Sequence, residues 1–120
     1  MGIKLKVLIV DDNEKFCNNM ADILEFKGYE VKGVYSGYQA IEAVNNQKYD
    51  IALLDIKMPG MDGVETLKIL KSIDPDLNII MITAFSDDVM GIDEITIPNL
   101  KTMQKPMDID KLCWMLESIK

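Results

Sequence analysis

Histidine and arginine are both missing from this 120-residue chain. Without histidine, the usual zinc ligand sets, a Ser-His-Asp triad and a phosphohistidine on this chain are excluded, so any phosphoryl chemistry falls to a carboxylate or a hydroxyl. Without arginine, all thirteen bases are lysines, set against twenty acids for a formal net charge of −7. The bidentate guanidinium contacts that nucleic-acid readers favour are therefore absent, and direct nucleic-acid binding is not expected. Cysteine is scarce as well: Cys17 and Cys113 are too few for a disulfide framework and read as small core residues in a reducing, cytoplasmic setting. No apolar run approaches the roughly twenty residues that span a bilayer, and the start lacks the apolar block of a secretory signal, so no membrane association is expected. No glycine-rich phosphate loop follows the first apolar run, which argues against a nucleotide or flavin site.

What is present is a regular alternation. With 48% hydrophobic residues the chain is long enough for one core, and a single domain over residues 1–120 is expected. Apolar, β-branched runs at Lys4–Val10, Tyr29–Tyr35, Asp50–Leu54, Leu77–Thr83 and Leu100–Gln104 predict five strands. Between them lie helical periods: Phe16, Met20, Ile23 and Leu24 closed by Gly28; Ala40, Ile41 and Val44 behind the N-cap candidate Ser36; Val64, Leu67, Leu70 and Ile73 between Asp62 as cap and Pro75. A last helix presents Ile109, Leu112, Cys113, Leu116 and Ile119 and runs to the end of the chain. Residues Ser86–Asn99, with Gly91, three β-branched isoleucines and Pro98, are poor helix material and predict a short or loose fourth helix. Parallel strands need helical crossovers, and these are right-handed. The simplest fit is a flavodoxin-like, doubly wound α/β fold with a five-stranded parallel sheet of order 2-1-3-4-5 and helices on both faces.

In that order the ends of the first and third strands are neighbours where the winding reverses, so Asp11 and Asp12 after one strand meet Asp55 after the other. Three carboxylates in one crevice repel each other, and a hard divalent cation with oxygen ligands, Mg2+, relieves the repulsion. A carboxylate beside such a metal can attack a phosphoryl group to give an acyl phosphate if a cation also stabilises the equatorial oxygens. Lys105, after the fifth strand, is placed to be that cation, and Thr83, ending the fourth, to donate its hydroxyl. Taken singly, each element has an ordinary explanation as a cap, a turn or a strand end; their joint placement at separate strand ends does not.

Val10-Asp11-Asp12-Asn13, the run from Leu54 through Asp55, Lys57, Pro59 and Gly60 to Gly63, Ile82-Thr83-Ala84 and Lys105-Pro106 together resemble the receiver domain of a two-component response regulator, over essentially the whole chain. The resemblance implies that Asp55 is the phosphoacceptor and takes its phosphoryl group from a sensor histidine kinase or phosphotransfer protein. It implies Mg2+ held by Asp12, Asp55 and the backbone carbonyl of Lys57, with Asp11 acting mainly through water, and phosphoryl oxygens contacted by Thr83 and Lys105. Such a module acts only on itself, so no enzyme with a separate substrate is expected. No output domain is visible in the sequence, and the downstream partner is not identified by it.

Two positions depart from the family pattern. Receivers commonly carry an aromatic three residues before the lysine; here Thr102 stands there, which implies that the signal passes without an aromatic rotamer switch. Lys57 and Phe85 stand two residues after Asp55 and Thr83, flanking the path of the hydrolytic water in this family, and a long charged chain and a ring predict a long-lived acyl phosphate. Two other readings stay open: a receiver-like binding domain that works without phosphorylation, and an aspartyl-phosphate phosphohydrolase of the haloacid dehalogenase type. The second needs an acid two residues after its nucleophile, where this chain has Lys57.

Overall fold

The computed structural model describes residues 5–56, 63–83, 99–104 and 108–119. Among them the order is β1 (Lys6–Val10), α1 (Glu14–Phe26), β2 (Glu30–Val34), α2 (Gly37–Asn46), β3 (Ile51–Asp55), α3 (Gly63–Ile73), β4 (Asn78–Thr83), β5 (Leu100–Gln104) and α4 (Ile109–Glu117). Of Ser86–Asn99, where a loose helix is expected, only Asn99 is described, and the cap expected at Asp62 lies outside the described residues; the helix expected last is α4, which stops at Glu117 instead of running on to the end of the chain.

The five strands form one parallel sheet of order β2-β1-β3-β4-β5, as the alternation predicts. Side chains alternate across the strands and divide the core in two. Leu8, Val10, Ala52, Leu54, Ile79 and Met81 meet Ala40 and Ala43 of α2 and Leu67 and Leu70 of α3. On the other face Val7, Ile9, Ile51, Leu53, Ile80 and Ile82 meet Cys17, Met20 and Leu24 of α1 and Leu112 and Leu116 of α4. β3 lies between β1 and β4 with both faces covered, so all five of its residues are buried.

Polar groups fix the ends of these elements. Asn13, Ser36 and Asp108 cap α1, α2 and α4, their side-chain oxygens accepting from the N–H groups of Phe16, Gln39 and Lys111 at 3.1, 3.1 and 3.2 Å. Gly28 stops α1 at φ 101°, a conformation that side chains resist. At the amino ends of the strands, Asp50 Oδ2 accepts from the Lys6 N–H at 2.8 Å while Asn78 Nδ2 donates to the Asp50 carbonyl at 3.1 Å. That staple ties the amino ends of β1, β3 and β4 together, at the edge of the sheet away from their carboxyl ends. The Tyr29 hydroxyl donates to Glu117 Oε2 at 2.6 Å and ties the turn after α1 to the end of α4.

Two further details differ from the sequence expectation. β3 runs one residue further, to Asp55, because the ladder continues past Leu54: Asp55 pairs with Ile82, and the Ile56 N–H still reaches the Ile82 carbonyl at 3.0 Å. In α1 the buried stripe is Cys17, Met20 and Leu24, while Phe16 is only partly buried and Ile23 is 38% exposed. The helix rests on the strand ends through its Cys17 side, which turns Phe16 and Ile23 toward the rim.

Candidate functional site

β1 and β3 are adjacent, with Val10 opposite Leu54, and it is between them that the winding of the sheet reverses. Asp11 and Asp12 follow β1 and Asp55 ends β3, and one carboxylate oxygen from each lies within 4.8 Å of the others. Asp11 and Asp55 are 2% and 7% exposed, whereas Asp12 faces solvent. Buried carboxylates are costly unless charge or hydrogen bonds compensate them.

The backbone holds these acids firmly. The Asp11 N–H donates to the Val34 carbonyl at 3.1 Å, and the Asn13 N–H donates to Asp11 Oδ1 at 3.0 Å. Asn13 then caps α1, so the helix begins directly behind the acid pair and its positive end faces the carboxylates. Beneath Asp55, Ile56 donates to Ile82 and accepts from the N–H of Gly63, the first residue of α3, at 2.8 Å. A Cβ at Gly63 would stand 2.4 Å from Ile56 Cα and 2.5 Å from the Asp55 carbonyl oxygen. Only a residue without a side chain lets α3 start this close to the strand end.

Thr83 is 4% exposed at the end of β4, one position beyond the Asp55–Ile82 pair. Lys57, Phe85 and Lys105 lie outside the described residues. Thr102 is half-buried on β5 opposite Met81. Cys17 is buried beneath the acid pair, and its Sγ donates to the Asp11 carbonyl at 3.2 Å. Burial first, and then the Asp11 carboxylate, push its thiol up to about 12, so it remains protonated. The three carboxylates form an all-oxygen set with no soft ligand, the kind of donor set that suits a hard divalent ion.

Residues 7–117 match the response regulator receiver domain family. The chain belongs to that family. Among its relatives is the sporulation initiation phosphotransferase F of Bacillus subtilis, 36% identical over 107 residues that cover 89% of this chain and 86% of that protein. The transcriptional regulatory protein ZraR of Salmonella typhimurium is 35% identical over 114 residues, 95% of this chain but 26% of that protein. The chain thus spans about a quarter of the length of the ZraR relatives. Among solved structures, the response regulator TrrA of Thermotoga maritima, in complex with Mg2+-BeF, superposes with a TM-score of 0.86 at 25% identity, covering 98% of this chain and 100% of that one. Among the described residues of this receiver, no helix is long and apolar enough to cross a membrane.

Sequence reasoning places all three acids of the receiver pocket, but it assigns no role to Asn13, to Gly63 or to the Cys17 thiol. Asn13 carried a signal, a capping residue directly before the acidic first turn at Glu14. Gly63 and Cys17 act through main-chain contacts that residue type does not disclose.

Proposed function

We propose that this receiver is a phosphoacceptor module of a two-component phosphorelay, acting as one unit over residues 1–120 in the cytoplasm. The observation that carries the reading is the convergence of Asp11, Asp12 and Asp55, with carboxylate oxygens within 4.8 Å, at the reversal point of a receiver sheet. Asp12, Asp55 and the backbone carbonyl of Lys57 would hold Mg2+ directly. Asp11 would act mainly through a water molecule, since Mg2+ usually keeps part of its hydration shell. When bound, the cation neutralises charge on the transferring phosphoryl group.

The chain's own residues do the rest. An Asp55 carboxylate oxygen attacks phosphorus, forming an acyl phosphate as the bond to the donor's imidazole nitrogen breaks and its electron pair leaves with the donor. Thr83 donates its hydroxyl, and Lys105 its ammonium, to the phosphoryl oxygens. The donor is a sensor histidine kinase or a phosphotransfer protein, and phosphorylation changes binding to a downstream partner. TrrA in complex with Mg2+-BeF and the phosphotransferase relative from Bacillus subtilis support this reading. The test is incubation with acetyl phosphate, with Mg2+ or with chelator, followed by intact mass measurement. The native chain gains one phosphoryl group only with Mg2+, and Asp55→Asn gains none; equal labelling of both, or none of the native chain, overturns the proposal.

A further inference from the structure

The ends of β1 and β2 are joined at the acid pocket by a side chain that the phosphoacceptor reading does not use. Cys17 is fully buried in α1, with Sγ 3.2 Å from the Asp11 carbonyl oxygen and 3.7 Å from that of Val34. The Val34 oxygen also accepts the Asp11 N–H at 3.1 Å. A single thiol proton therefore has two carbonyls in reach, one on the residue that opens the acid pair and one on the last residue of β2. Gly33 lies alongside, where an added Cβ would make only an ordinary contact with Cys17 Cβ at 3.5 Å. With Asn13 N–H on Asp11 Oδ1, the main chain at Asp11 is gripped from β2, from the body of α1 and from its cap. Asp12 follows directly, so a rotation of that main chain swings both carboxylates relative to Asp55.

We propose that Cys17 is a positioning residue of the acid pocket, its thiol fixing the Asp11 main chain from which Asp11 and Asp12 reach the cation. This rests on the reading of the pocket as a Mg2+ site. A thiol is a weak donor, and a neutral hydrogen bond is worth roughly two- to tenfold in an equilibrium; only the part of this bond that strengthens when the cation binds enters the affinity, so its loss weakens Mg2+ binding by at most about two- to fivefold.

The test is calorimetric Mg2+ titration of the whole chain as wild type, Cys17→Ala, Cys17→Val and Cys17→Ser. It is paired with infrared measurement of the S–H stretching band in a Cys113→Ser background, with and without Mg2+. Ala and Val should weaken binding by about two- to fivefold while Ser, which keeps a donor, recovers part of the loss, and the Cys17 band should shift when Mg2+ binds. The band needs no change at Cys17, so it reports even where a variant fails to fold. A cysteine that merely fills space gives lower thermal stability, unchanged Mg2+ affinity and an unmoved band, which overturns the proposal alone. A wild-type chain that binds no Mg2+ overturns the pocket reading and this proposal together.

Discussion

Gly63→Ala adds one methyl group at the point where α3 meets the end of β3. The new carbon would stand 2.4 Å from Ile56 Cα, 2.5 Å from the Asp55 carbonyl oxygen and 2.8 Å from that of Ile56. All three are backbone atoms, so no side chain can swing aside. Bringing the shortest contact to the 3.4 Å where ordinary packing begins requires a displacement of about 1 Å, enough to break the 2.8 Å bond from the Gly63 N–H to the Ile56 carbonyl. Overpacking of this kind costs roughly 1–3 kcal/mol, and the lost hydrogen bond about 1 more. A total of about 2–4 kcal/mol is a large share of the 5–15 or so that a domain typically has, and lowers Tm by about 10 °C. The shift also reaches the chemistry, because Asp55 must move relative to Asp11 and Asp12, and a misplacement of about 1 Å can cost a reaction about 100-fold. Urea unfolding followed by circular dichroism gives the first quantity, and the rate of labelling by acetyl phosphate at a temperature where both proteins are folded gives the second. A variant within about 0.5 kcal/mol of wild type, labelling at the native rate, would refute the reasoning.

Other perturbations separate the scaffold from the site. Tyr29→Phe removes the 2.6 Å bond to Glu117 and should cost about 1–2 kcal/mol at neutral pH in urea titrations. Burial, then the hydrogen bond to Glu117, raise the Tyr29 hydroxyl above its ordinary 10.0; an acid raised on folding contributes stability that is complete below the unfolded value and is lost as pH climbs through the folded one. Wild-type stability should therefore fall above pH 10, and the fall should be shallower in Tyr29→Phe. Asp50→Ala breaks the staple on Lys6 at the end of the sheet away from the acids, and should cost about 1–2 kcal/mol while leaving Mg2+ affinity in calorimetry unchanged. Replacing Lys57 and Phe85 together by small polar residues should speed the decay of labelled protein after donor removal, and an unchanged decay would count against the water-blocking role of those side chains.

The sequence is most informative where one period governs a whole element. The strand runs match β1 to β5 within a residue or two, since β3 and β4 are covered on both faces and read as unbroken apolar stretches. Sheet order follows because helical crossovers and the reversal point leave few alternatives. Asp11, Asp12 and Asp55 are legible as a cluster because strand ends fix their positions. What stays hidden depends on contacts between segments distant in the chain: Tyr29 with Glu117, 88 positions apart, or Cys17 with the Val34 carbonyl. Residue type alone makes Cys17 a small core filler, which it is, and says nothing of the carbonyls its thiol faces. Gly63 similarly appears in the sequence only as the end of a motif, although the constraint on it comes from the backbone of Asp55 and Ile56.

The most direct test of phosphoacceptance locates the bond itself. After treatment with acetyl phosphate and Mg2+, borohydride reduces an aspartyl phosphate to homoserine, and peptide sequencing by mass spectrometry finds where that residue stands. Homoserine in place of Asp55, and at no other acid, is the predicted result. Homoserine at Asp11 or Asp12, or no homoserine in a chain shown to bind Mg2+, would contradict it.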